Sequence, residues 1–155
     1  MGSGAQAAGE SGEVVEILER FLRAGVDPAV AMKTLNSVML LKCGDNWGFA
    51  TVDLMCVDLF SGETCFYKYG AAPSYVSGGK AAPDVVRMRL KPGSTAIIAS
   101  DGVVGDEDDT WLRDIMLTER NDMKRLARAT LRAAERSFGA ADDMTVLAVR
   151  VEERA

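Results

Sequence analysis

Three acids in two short runs carry the chemistry this sequence could do. Asp101 follows the apolar run Ala96-Ile97-Ile98-Ala99 and one serine, and Gly102 comes directly after it. Asp142 and Asp143 stand together just ahead of Met144 and Thr145. The chain contains no histidine, which excludes an imidazole base, a Ser-His-Asp triad and a histidine zinc site. What remains is carboxylate chemistry. Two carboxylates held close together repel unless a cation sits between them, and oxygen ligands of this kind favour Mg2+ or Mn2+. Taken singly, either acid reads first as a turn or helix-cap residue. The chemistry therefore depends on whether the surrounding elements deliver Asp101 and Asp142 to one place.

The stretch 96–99 is apolar throughout, the pattern of a central strand, and it should present Asp101 at the rim of a sheet. Val146, Leu147, Val149 and Val151 give residues 145–151 the character of a second buried strand, which creates an acidic rim at Asp142 and Asp143. If the two strands are neighbours, the rims coincide.

The rest of the chain supplies the frame. Val14, Val15, Ile17, Leu18, Phe21 and Leu22 recur at helical spacing up to Gly25, and the Ala-rich lead-in extends this first helix backwards. Asp27 and Pro28 form an N-cap and first helical position, with Met32, Leu35, Val38, Met39 and Leu41 as the apolar stripe of a second helix reaching to about Lys42. Residues 49–59 and 64–69 read as a hairpin turned at Ser61-Gly62. Stretches 74–76 and 85–90 flank Gly78-Gly79-Lys80, and Lys91-Pro92-Gly93 leads into 95–100, as in a meander of short strands. Helices are expected over 111–117 and 123–138, the latter with Leu126, Ala127, Thr130, Leu131 and Ala134 on one face. Two helices, about five strands, two helices and a final strand make a segregated α+β order.

Composition narrows the function classes. A chain of 155 residues, 48% apolar and 26% charged, has the size and balance of one globular domain. Its net charge of −5, without a Lys/Arg cluster, argues against nucleic acid as a partner. No apolar run approaches the roughly 20 residues of a membrane span, so no membrane contact is expected of this segment. A cytoplasmic location is expected, with any membrane tether lying elsewhere in a longer protein. Cys43, Cys56 and Cys65 lack a CxxC pair and read as buried reduced thiols.

The wording of the two acidic motifs is more specific than their composition. Ser100-Asp101-Gly102-Val103 and Asp142-Asp143-Met144-Thr145 resemble the metal-binding motifs of the phosphatase 2C-like family. Met1-Gly2-Ser3-Gly4, Leu35-Asn36-Ser37, Phe49-Ala50-Thr51-Val52-Asp53 and Gly70-Ala71-Ala72-Pro73-Ser74 are similar to the stage II sporulation protein E branch of that family. The resemblance runs in order along nearly the whole chain. It implies an α-β-β-α sandwich of two antiparallel sheets flanked by helices. It also implies two Mn2+ or Mg2+ ions, with Asp101 and Asp142 as catalytic and metal-binding carboxylates and Gly102 adjacent. Asp143 would stand where relatives often have Asn, in the neighbourhood of the phosphate. Gly2, Ser3 and Gly4 would follow the family's first Asp-Gly and lie near the phosphate, although Met-Gly-Ser also has the form of a cloning scar. Because that Asp-Gly and the strands before it are not in this sequence, residues 1–155 are expected to form a single phosphatase 2C-like domain lacking its N-terminal strands.

The activity implied is two-metal hydrolysis of a phosphomonoester without a covalent phosphoenzyme. By the same resemblance the substrate class is a phosphorylated anti-anti-sigma factor, and a homodimer is allowed. The rival is a phosphatase-like scaffold without a working metal centre; a third reading is another metal hydrolase using Asp101 and Asp142. Other acids have plainer explanations: Asp53 and Asp58 as solvent-facing strand positions, Asp45 with Asn46 as turn residues, and Asp106 to Asp109 as caps of the helix near Trp111. Trp47 and Trp111 are assigned no role.

Overall fold

The computed structural model describes residues 5–43, 51–77, 79–81, 86–104, 109–139 and 142–153. Helix α1 spans Ala5–Arg23 and α2 spans Pro28–Cys43. The chain stops α1 with a C-terminal motif that needs a left-handed residue, and Gly25 (φ 77°) supplies it. Gly25 N–H donates to Leu22 O and Val26 N–H to Phe21 O, both at 3.0 Å. Two residues later Asp27 caps α2, its Oδ1 accepting from Ala29 N at 2.9 Å and Val30 N at 3.2 Å. Val14, Leu18, Ala31, Met32 and Leu35 are buried between the helices and the sheet beneath them. Val15 and Leu41, expected in the apolar stripes, are instead 61% and 85% exposed. Each lies one or two positions past the inward stripe, where the 3.6-residue turn carries it outward.

Strands β1 (Val52–Val57), β2 (Glu63–Tyr69) and β5 (Val86–Arg89) form one sheet in the order β1-β2-β5. Strands β4 (Gly79–Ala81), β3 (Ser74–Val76), β6 (Thr95–Ala99) and β7 (Val146–Arg150) form the other in the order β4-β3-β6-β7. All pairings are antiparallel. Two details differ from the expected meander. Gly79 and Lys80 are not merely a turn but pair with Val76 and Tyr75, because ladder hydrogen bonds to β3 outweigh glycine's weak strand preference. The chain also changes sheets, so β5 lies beside β2 rather than beside β3 or β6.

Period-2 alternation makes each sheet two-faced. Phe66, Val76, Leu90 and Ala96 are buried together with Met55, Val86, Met88 and Ile98, which is the layer between the sheets. On the far side of the second sheet, Tyr75, Ile97 and Ala99 pack against Leu112 and Met116 of α3 (Thr110–Thr118) and Leu126 and Ala134 of α4 (Met123–Phe138). The stack is helix pair, sheet, sheet, helix pair: the α-β-β-α sandwich expected. Burial of each large apolar side chain in these layers contributes about 1.5–3 kcal/mol. Cys56 and Cys65 are free and only half-buried, under α1 and α2, and burial pushes the Cys56 thiol upward from its ordinary pKa. The side chain of Cys43 lies outside the described residues.

Helix α3 begins as expected but is capped differently. Asp109 occupies the N-cap position without a side-chain capping bond. Its backbone (φ −102°, ψ 11°) is not the extended form that aims a cap at the helix, and its carboxylate pairs with Arg113 at 3.1 Å.

Candidate functional site

The apolar strand β6 does what its composition dictates: Ala96, Ile97 and Ala99 are buried, and the chain leaves the sheet at Ser100 to expose Asp101. A tight turn follows, with Val103 N–H donating to Ser100 O at 3.0 Å and Val104 N–H to Asp101 O at 3.1 Å. Antiparallel pairing of β6 with β7 sets Ala99 opposite Val146, so the end of one strand meets the start of the other. Ser100 fastens the junction. Its N–H donates to Thr145 O at 3.0 Å, its Oγ accepts from Thr145 N at 3.0 Å, and its hydroxyl donates to Asp143 O at 3.2 Å.

Gly102 sets how close the two acidic runs come. A Cβ at this position would lie 2.9 Å from Asp143 O and 3.4 Å from Asp142 Cβ, inside the contact limit for a backbone oxygen. The Asp101-Gly102 and Asp142-Asp143 segments are therefore in direct contact, and all three carboxylates are solvent-exposed. Asp142 is steadied by its own turn, its Oδ1 accepting from Asp143 N at 2.8 Å. Gly2, Ser3 and Gly4 lie outside the described residues, as do Asp45, Asn46, Trp47 and Asp106 to Asp108.

Beside Asp101 a cleft of about 320 Å³ opens at the edges of both sheets, lined by Thr51, Asp53, Ala72, Ser100, Asp101 and Thr145 among others. Its wall contains the clearest departure from the sequence reading. Asp53 is not a solvent-facing strand residue. It stands opposite Lys68 in the β1-β2 register, on the face that meets the second sheet, and the two side chains are 9% and 1% exposed. Lys68 Nζ donates to Asp53 Oδ2, to Ala72 O at 2.6 Å and to Ser74 Oγ at 2.9 Å. The Ser74 hydroxyl donates to the same Asp53 oxygen at 2.7 Å. Alternation along β1 marks which residues share a face with Asp53, but nothing local shows that the second sheet covers that face. Asp58 is exposed as expected, but it lies in the turn after β1 rather than on the strand. Its Oδ1 accepts from Phe60 N at 2.8 Å and Ser61 N at 3.0 Å, and these backbone donors hold its carboxyl below the usual range.

The donor set suits a hard divalent cation. Asp101 and Asp142 offer carboxylate oxygens at one exposed corner, and Mg2+ commonly takes just one or two carboxylates from the protein, leaving its other positions to water and phosphate. Among the described residues no group of three or more His, Cys, Asp or Glu gathers as a metal cluster; Asp101 and Asp142 are a pair whose oxygen chemistry fits such an ion.

Known proteins share this sequence pattern and fold. The family model for stage II sporulation protein E matches residues 1–81 and 76–152. Stage II sporulation protein E of Bacillus subtilis is 31% identical over an alignment of 177 positions covering 98% of this chain and 21% of that protein. A solved structure of the PP2C phosphatase domain with a fragment of the regulatory domain of the Bacillus subtilis protein is 32% identical, with a TM-score of 0.87 over 100% of this chain and 53% of that one. A structure of the Bacillus subtilis phosphatase domain presoaked with Mn is 30% identical, with a TM-score of 0.68 over 92% of this chain and 75% of that one. The chain thus spans about a fifth of the full-length relative it matches. With sequence, motif order and sandwich architecture in agreement, the chain belongs to the stage II sporulation protein E family and has the fold of its PP2C phosphatase domain.

Proposed function

We propose that this chain is the catalytic part of a metal-dependent protein serine/threonine phosphatase, acting on a phosphoserine-bearing anti-anti-sigma factor. The observation that carries the reading is the contact between the Asp101-Gly102 and Asp142-Asp143 segments, fastened by Ser100 and dependent on the missing side chain of Gly102. Asp101 and Asp142 would hold the cations, two Mn2+ or Mg2+ by the family resemblance. Such cations, when bound, neutralise charge on phosphoryl oxygens and lower the pKa of water toward neutrality.

The chain's own residues orient and hold. Ser100 fixes the strand ends so that the acids keep their spacing without a large entropy loss on ligand arrival. The cleft beside Asp101 gives the phosphoserine side chain a place next to the acidic corner. In the overall reaction water adds to phosphorus, the serine oxygen leaves and takes up a proton, and inorganic phosphate results. The exposure of all three carboxylates suits a macromolecular substrate that approaches an open rim. No nucleic acid or membrane partner is proposed for this segment; among the described residues no helix is long and apolar enough to cross a membrane.

The test is Mn2+-dependent release of phosphate from a phosphoserine anti-anti-sigma protein by the intact protein. Asp101→Asn and Asp142→Asn should each lower the rate at least a hundredfold, since each removes ligand charge from the cation site. Tight binding of the phosphoprotein with no turnover in Mn2+ would favour a scaffold, and turnover of nucleotides alone would favour a different metal hydrolase.

A further inference from the structure

The buried Asp53-Lys68 pair has a feature that a purely structural ion pair does not need. All three Lys68 donors are satisfied within the protein, and Asp53 Oδ2 accepts from both Lys68 and Ser74. Asp53 Oδ1, by contrast, is buried and has no hydrogen-bond partner among the described residues. An unpaired carboxylate oxygen in such a setting is costly unless something beside it donates or carries positive charge. Asp53 lines the same cleft as Asp101, so its charge bears on whatever occupies that cleft.

We propose that Asp53 and Lys68 form a charge-balancing, positioning pair for the cation site. Asp53 adds negative charge to the cleft wall beside the acidic corner, which would draw a divalent cation to that corner, and the Lys68 ammonium limits how strongly such a cation would be held. The proposal rests on the reading of Asp101 and Asp142 as cation ligands. Its physical basis is that a unit charge buried in a cleft wall acts on a dication through a medium far less screening than water, whereas the exposed acids of the rim are screened. The network also reaches Ala72 and Ser74, which lie on the segment leading from β2 into β3 and include part of the cleft wall. Charge and shape of the cleft are therefore set by one cluster.

The sign of the effect separates this from a role in folding alone. Asp53→Asn leaves Lys68 as an uncompensated cation beside the cleft, and Mn2+ affinity should fall about tenfold. Lys68→Met leaves Asp53 as an uncompensated anion, and Mn2+ affinity should rise about tenfold. Both substitutions break a buried pair and should lower thermal stability. The readout is Mn2+ binding to the intact protein, followed through the electron paramagnetic resonance signal of free Mn2+. Equal weakening in both variants, or no change in either, overturns the proposal. The double variant Asp53→Asn with Lys68→Met removes both charges and stays measurable if a single variant does not fold. Affinity within about threefold of wild type supports charge balance, and a loss as large as that of Asp101→Asn overturns it. If Asp101→Asn itself leaves Mn2+ binding unchanged, the phosphatase reading fails instead, independently of the pair.

Discussion

Gly102 is the residue on which the geometry of the acidic corner turns. Its space is taken by Asp143 O, which would stand 2.9 Å from an added Cβ, so Gly102→Ala must push the two acidic runs apart. Overpacking of this kind costs about 1–3 kcal/mol; the larger effect should be on function, with Mn2+-dependent phosphatase activity reduced at least tenfold while circular dichroism stays native. Asp58 gives a pH-dependent signal. Its carboxyl is held below the usual range by the Ser61 and Phe60 N–H groups, so the ionised form is favoured by the fold. The corresponding stability is present above the ordinary carboxylate range and is lost as pH falls through the depressed folded-state value. Thermal melts between pH 5 and pH 2 should therefore show a shallower acid loss for Asp58→Asn than for wild type. At this scale the sequence was informative about where Asp101 and Asp142 stand, at the ends of strands that their apolar neighbours define. It was silent about Asp53, whose burial is decided by a second sheet far from it in sequence, and about Ser100, whose three bonds to residues 143–145 depend on strand pairing.

At the level of elements, local chemistry decided the helices and long-range pairing decided the sheets. Gly25, Asp27 and Pro28 stop α1 and start α2 through bonds no more than five residues long, which is why both boundaries could be read from the residues alone. Asp27→Ala removes the cap of α2 and should lower stability by about 1 kcal/mol in urea unfolding, without changing the slope of the transition. The strands were harder. Composition located β2, β3 and β6, but nothing local says that β5 returns to β2 while β3 pairs with β6. The turn at Gly62 shows why β5 ends there. Gly62 (φ 74°) would put a Cβ 2.3 Å from Leu90 O, and Gly62 O accepts from Leu90 N at 2.9 Å. A glycine that reads in sequence as a simple hairpin turn is also the seat of a neighbouring strand's end.

For the molecule as a whole, a cation held as proposed at the acidic corner would link the last strand to the middle of the chain. A ligand present at a hundred times its dissociation constant adds about 2.7 kcal/mol to the stability of the state that binds it, so Mn2+ should raise the melting temperature of wild type and not of Asp101→Asn. The pairing that builds this corner also has a bearing on how the chain folds. Ser100 and Thr145 are 45 residues apart, and α3 and α4 lie between them. The hairpin of β1 and β2 closes over only a few residues, but β7 can take its place beside β6 only after a long loop has closed. The two halves of the proposed cation site are separate until that step, so a chain that has not yet made this pairing lacks the joined carboxylates that would bind the metal. Bound Mn2+ is then expected to act almost wholly on the rate of escape from the native state, lengthening its lifetime while leaving the speed of refolding as it was.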